Sequence, residues 1–274
     1  MAEHEIDVTR LTTRPILSAE DFKGSWGAVD VLSLPGNAGD RYLIGFAHSD
    51  RSVERALRLR YEVFNLELDE GLASSAATGL DRDDFDAQMT HLLLIEQATG
   101  AVVGTYRMQT VAHGLAHGGL YSAQEFDMSG LEPYFDEAIE LGRACLAADH
   151  RSMRAVIALW QGIGAYMNLY GLYYMFGCCS LTTRDMLDGW RAMKTIRKKG
   201  HLHDSVYLSV LPEFSCGDEV EVDAIPLPKL FRTYMRLGTK VVSAPAIDRA
   251  FGTVDFLVML DARVVTFSQL DIVK

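Results

Sequence analysis

The chain has few of the devices by which many protein classes announce themselves. It contains no uncharged apolar run of the roughly 18 residues that a membrane helix needs. The best candidate, residues 155–174, is interrupted by Gln161 and Asn168 and keeps its apolar residues to one helical face, so no span is expected. Neither a P-loop nor a Gly-x-Gly-x-x-Gly turn occurs, which disfavours phosphoryl and hydride transfer. There is no Gly-x-Ser-x-Gly elbow, and Cys145 has no partner His in sequence, so a covalent hydrolase has little support. The four cysteines, Cys145, the adjacent Cys178 and Cys179, and Cys216, suggest neither a disulfide framework nor a zinc site. Positive charge is short: 26 Lys and Arg against 37 Asp and Glu give a net charge of −11, which argues against nucleic acid as a partner. The opening residues Met1 to Asp7 are acidic and lack the basic and apolar regions of a signal peptide, so a cytoplasmic location is expected.

What is present is 274 residues that are 49% apolar, enough for a substantial core. Residues 1–40 have weak periodicity and are expected to be an N-terminal extension, and 41–274 a single domain. Tyr42 to Ala47 reads as a strand. Asp50 or Ser52 can cap a helix with Val53, Leu57, Tyr61 and Phe64 at helical spacing. Arg60 lies on that apolar face, where an arginine either snorkels to the surface or reaches a cleft. After an acidic loop with Asp81, Asp83, Asp84 and Asp86, His91 to Gln97 and Ala101 to Gln109 form a hairpin around Ala98-Thr-Gly100. A helix follows from about Ser152 to Tyr170, then an unusually apolar strand, Tyr173 to Leu181, expected to be central. A helix from about Arg184 to Lys199, a short one ending at Leu237 and strands at Lys240 to Ala244 and Asp255 to Leu260 complete a mixed α/β pattern.

Between hairpin and helix lies Ala138-Ile-Glu140-Leu-Gly142-Arg143-Ala-Cys145-Leu146, a buried strand that carries one acid and one base. Buried charges are costly unless paired or used. Strand alternation would put Glu140 and Arg143 on opposite faces, but Gly142 signals a bulge that would bring both to one pocket. A structural ion pair at a sheet edge is the alternative reading. With Arg107, Arg60 and the acidic loop, such a pocket holds paired charges of both signs and suits a zwitterionic or amine substrate. His113 and His117 have the i, i+4 spacing of a metal pair but sit among glycines without a third ligand, and read as a surface loop; His201, His203 and Asp204 read as a polar loop. No metal site is expected. Arg191, Lys194, Arg197, Lys198 and Lys199 fall within nine residues, ordinarily a solvated helix face.

Several segments resemble the ornithine lipid N-acyltransferases: Arg60-Tyr-Glu-Val-Phe64-Asn-Leu-Glu67, Asp83-Asp-Phe-Asp86 ahead of His91, Gly104-Thr-Tyr-Arg107, Glu140-Leu-Gly-Arg143-Ala-Cys145, Leu159-Trp-Gln-Gly162 and Pro228-Lys-Leu-Phe-Arg-Thr-Tyr-Met-Arg-Leu-Gly238 with Asp248-Arg-Ala-Phe251. With the N-acyl amino acid synthases and acyl-homoserine lactone synthases, these form one branch of the GNAT-like acyltransferases. The resemblance implies a mostly antiparallel central sheet with flanking helices and a split between two central strands that grips pantetheine. It also implies transfer of a fatty acyl group from acyl carrier protein to the amine of an amino acid, with ornithine the favoured acceptor. No permanently bound cofactor is implied, only the acyl-phosphopantetheine thioester as donor. The stretch after the bulged strand lacks the Gly-rich turn with which acetyl-CoA enzymes of this fold bind pyrophosphate, which favours a carrier protein over free CoA.

In the chemistry so implied, Glu140 deprotonates the amine, directly or through water, and one of Asp83, Asp84 and Asp86 holds the ammonium group. Arg143 and Arg107 orient Glu140 or bind the acceptor carboxylate, and Arg60 and Phe64 close the acceptor side. The basic run from Arg191 to Lys199 becomes a docking patch for the acidic carrier, and a lipid product implies peripheral membrane contact. Acyl-homoserine lactone synthesis and acetyl-CoA-dependent N-acetylation are the alternative reactions. A non-catalytic acyl or amino acid binding protein is the alternative of another class.

Overall fold

The computed structural model describes residues 31–33 and 41–264. The expected N-terminal extension therefore lies outside the described residues, apart from a strand, β1 (Val31–Ser33), that pairs antiparallel with β2 (Tyr42–Ala47). The described residues fall into two compact units. One comprises residues up to Gly119 together with Leu141–Leu172, the other Leu120–Glu140 and the residues from Tyr173 on.

In the first unit β2, β3 (Thr90–Glu96) and β4 (Val102–Thr110) continue the antiparallel order begun by β1. The run Leu92-Leu93-Leu94-Ile95 is apolar throughout because both faces of this sheet are covered. Leu93, Ile95 and Ala47 pack with Val53 and Ala56 of helix α1 (Asp50–Arg60). Leu92 and Ile44 lie under Gly162 of α3 (Met153–Tyr170), and Phe46 packs against Tyr166 of the same helix. The N-cap of α1 is Ser49 rather than Asp50 or Ser52, because the Ser49 hydroxyl accepts from Ser52 N while Ser52 reaches back to the Ser49 amide. α1 runs into a π-helical turn, Tyr61–Glu67. His113 does not lie in a surface loop: Thr110 caps a short helix α2 (Val111–Ala116) by accepting from His113 N at 3.1 Å, and the buried His113 ring meets Gln88 O at 3.1 Å.

In the second unit the first residues of β5 (Ala138–Leu146) pair parallel to β6 (Tyr174–Leu181), from Ala138↔Tyr174 to Glu140↔Phe176. β6 in turn pairs antiparallel along its whole length with β9 (Thr253–Asp261), which confirms it as an internal strand. The edge is split into β7 (Lys240–Val241) and β8 (Ala246–Asp248), both on β9. Between them the Ser243 hydroxyl takes the amide of Leu257, so the single strand expected from Lys240 to Ala244 does not form. Helix α4 (Met186–Lys198) and helix α5 (Lys229–Arg236) bury Trp190, Met193, Ile196, Phe231 and Met235 against Phe256 and Val254. The strand pairs within each unit are thus mostly antiparallel, with flanking helices, as the motifs implied.

Gly162 sets how closely α3 approaches β2 and β3: a Cβ there would stand 2.5 Å from a Leu92 methyl and 3.0 Å from an Ile44 methyl. Gly162→Val is expected to lower the unfolding free energy by about 1–3 kcal/mol through overpacking. Urea denaturation at neutral pH measures it, and an unchanged midpoint would refute the close approach.

Candidate active site

The first unit contains a buried relay of alternating charge. Arg60, the last residue of α1, is fully buried, so its guanidinium cannot snorkel and must be satisfied inside. Its Nε donates to Asp81 Oδ2 at 2.8 Å, Nη1 to Asp86 Oδ1 at 2.6 Å and Nη2 to Asp86 Oδ2 at 3.3 Å. Arg107, from β4, donates through Nη1 to the same Asp86 Oδ1 at 2.9 Å and to Asp83 Oδ1 at 2.5 Å. At the other end Arg143, from β5, donates to Asp81 Oδ1 at 2.7 Å, with its guanidinium carbon 5.3 Å from the centre of the Phe64 ring. Asp83 also caps the 3-10 turn Asp84–Ala87 by accepting from Phe85 N, while Asp86 reaches back to Asp83 N. Burial alone would push the Asp86 carboxyl up, but the Arg60 and Arg107 guanidiniums hold it well below the usual carboxylate range.

The expected irregularity of β5 falls one residue later than Gly142. Arg143 takes φ 52°, the left-handed region that non-glycine residues seldom occupy, and it is held there between Asp81 and Phe64. Gly142 has no positive φ, and a Cβ on it would meet nothing within 4 Å, so it has no steric need to be glycine.

Glu140 belongs to the second unit and is 1% exposed. Its two carboxylate oxygens accept separate backbone amides from the start of the 3-10 turn Tyr121–Gln124: Tyr121 N at 3.0 Å and Ser122 N at 2.7 Å. Two fixed donors orient the group, as an acid with a chemical role requires. Just past the other end of the turn stands Glu125, also buried. One ligand atom from each of Glu125, Cys178 of β6 and Asp255 of β9 lies within 4.8 Å of the others. Burial first, then Asp255 and Asp248, push the Glu125 carboxyl up to about 10. Burial likewise raises the thiol of Cys145 to about 12, which leaves it poorly suited to nucleophilic catalysis.

Of the residues singled out from sequence, Arg60, Asp83, Asp86, Arg107 and Arg143 meet in the relay, and Phe64 lies beside it. Asp84 is exposed and outside it. The sequence placed Asp81 in the acidic loop without a role of its own, yet it is the fully buried link between Arg60 and Arg143; nothing local separates it from exposed Asp84 three residues away. Glu125 was missed, since a lone acid in a loop carries no pattern. In the basic run, Arg191 bonds Asp188 at 2.8 Å and Asp185 at 3.3 Å, Lys194 bonds Glu221, and Arg197 bonds Glu219. Lys198 and Lys199 are exposed and pair with no carboxylate among the described residues.

The relay makes the first unit sensitive to acid. His91 stands opposite Arg107 and meets Asp86 O at 3.2 Å; burial lowers its pKa to about 4. An imidazole whose folded value lies below its unfolded 6.5 contributes stability that is intact above 6.5 and lost as pH falls towards 4. Between pH 7 and 4.5 the protein is expected to lose about 2–3 kcal/mol more than His91→Gln does. Urea titrations at the two pH values test this, and equal losses would remove His91 as the cause.

Residues 59–161 match the family model described as an acetyltransferase (GNAT) domain. An L-ornithine N(alpha)-acyltransferase of Agrobacterium fabrum (strain C58 / ATCC 33970) is 30% identical over 259 residues, covering 89% of this chain and 85% of that protein. One of Rhizobium meliloti (strain 1021) is 32% identical over 249 residues, covering 85% and 83%. Among solved structures, FeeM, an N-acyl amino acid synthase from uncultured soil microbes, superposes with a TM-score of 0.52 at 11% identity, covering 86% of this chain and 100% of that one, a likeness of fold. Identity of this extent over most of both chains agrees with the segments that first carried the resemblance: the chain is an acyltransferase and belongs to the L-ornithine N(alpha)-acyltransferase family.

Proposed function

We propose that this protein transfers a fatty acyl group from acyl carrier protein to the α-amine of ornithine, with Glu140 as the general base. The observation that carries the reading is Glu140 itself: a carboxylate buried within β5 and aimed by two backbone amides, in a chain whose relatives are named for acylating this amine. An amine attacks a thioester only as the free base. Its nitrogen adds to the carbonyl carbon, the N–H proton passes to Glu140 directly or through water, and collapse of the tetrahedral adduct breaks the C–S bond. The departing sulfur takes up a proton as the carrier's thiol. The developing oxyanion needs a hydrogen-bond donor, which a strand amide can supply. The Arg60–Asp81–Arg143 and Arg60–Asp86–Arg107 connections act as positioning elements. They fix the loop at 81–86 and the irregular turn of β5 immediately after Glu140.

Glu140→Gln keeps the size and one of the two amide contacts while removing the base, so kcat is expected to fall about 100-fold or more with an unchanged circular dichroism spectrum. Near-normal turnover by the folded variant would refute the assignment.

Carrier docking on α4 rests on Lys198 and Lys199, since its other basic residues already face Asp185, Asp188, Glu219 and Glu221. Rim charges act mainly on encounter. Lys198→Glu with Lys199→Glu should raise KM for the carrier-bound donor most strongly at low salt, and leave a small pantetheine thioester unaffected. Equal losses with both donors would exclude the docking role.

A further inference from the structure

We infer that Glu125, together with Asp255 and Cys178, forms the subsite that receives the side-chain ammonium of a diamino acid acceptor while Glu140 addresses its α-amine. The inference rests on the proposed N-acylation and adds to it the group that selects the acceptor.

Three observations lead there. Glu125 is 2% exposed, and its Oε2 is buried without a hydrogen-bond partner. A carboxyl oxygen in that position is destabilising unless some donor reaches it. The groups around it are also acids or weak acids: a carboxylate oxygen of Asp255 and the Cys178 sulfur complete a triangle with no side longer than 4.8 Å, and Asp248 adds negative potential. An ammonium nitrogen at hydrogen-bond distance from two such oxygens fits a triangle of this size. Like-charged groups crowded together raise one another's pKa, and Glu125 does sit at about 10, so it carries a proton until a cation replaces it.

The second consideration is placement relative to Glu140. Tyr121 N and Ser122 N bind Glu140, and Glu125 caps the same turn with its own amide bonded to Ser122 O at 3.2 Å. At about 2 Å rise per residue, the turn carries the backbone of Glu125 roughly 6–8 Å beyond the two amides that hold Glu140. The two nitrogens of extended ornithine are about 6 Å apart on ordinary bond lengths. The Cys178 thiol adjoins both ends, since it contacts Ser122 Oγ at 3.9 Å. Cys178 is the member of the triangle that is only partly buried.

The test compares ornithine with norvaline, which has the same carbon skeleton without the side-chain amine, using the purified full chain and whichever of the two thioester donors supports turnover. The wild type should favour ornithine by about 100-fold or more in kcat/KM, because a site built for a hydrogen-bonding group rejects the analogue that lacks it. Glu125→Gln, and separately Asp255→Asn, should cut that ratio to about 10-fold or less, chiefly by slowing ornithine. A wild type that takes both acceptors equally, or variants that keep the ratio, would overturn the subsite while leaving amine acylation intact. Turnover of neither acceptor would bring down the proposed function and the subsite with it. Equilibrium dialysis against zinc supplies a further arm: one zinc per chain, lost in Glu125→Gln and Cys178→Ser with the acceptor ratio unchanged, would make this a metal site and overturn the inference.

Discussion

The buried guanidinium of Arg60 is the constraint on which much of the first unit depends. Withdrawing an arginine from water costs several kcal/mol unless carboxylates replace the lost hydration with good geometry. Here Asp81 and Asp86 do so, and each is shared with a second arginine, Arg143 or Arg107. One unavoidable desolvation thereby ties together the end of α1, the loop at 81–86, β4 and β5. Loops usually owe their shape to turn chemistry at the surface; this one owes it to charge pairing underneath.

The second unit handles charge differently. Glu140 accepts two backbone amides, and Glu125 has an oxygen that nothing among the described residues satisfies. A saturated ion network holds a fold in place but has little capacity left for a ligand. An acid left short of a partner, as Glu125 is, retains the ability to take a proton or a cation. That contrast explains why the arginines of the family motifs read more naturally as positioning residues.

Membership of the L-ornithine N(alpha)-acyltransferase family accords with thiols whose burial makes them weak nucleophiles, since direct aminolysis of a thioester needs no covalent enzyme intermediate. It needs an acid of suitable placement, a donor for the oxyanion and a means of choosing the amine. In the proposed function Glu140 of β5 is the first, and in the further inference Glu125 is the candidate for the last.

By itself the sequence determined the succession of elements, because strands and helices here bury continuous apolar runs or clear helical stripes whose period survives without context. It also determined that Glu140 and Arg143 stand in one strand, buried at Glu140 and partly buried at Arg143, and the motif order disclosed the family. What only the tertiary structure decided was the pairing of charges. Asp81 and Asp84 are alike in composition and neighbourhood, yet one is enclosed between two arginines and the other faces solvent. Likewise the backbone distortion of β5 fell on Arg143 rather than on Gly142, since an ion pair and an aromatic face can hold a residue in a conformation that its own propensity disfavours. Glu125, without any local signature, acquires meaning only when β6 and β9 bring a thiol and a second carboxylate to it. Periodicity is a local property and can be read along the chain, whereas the partner of a buried charge is set by residues up to 62 positions away.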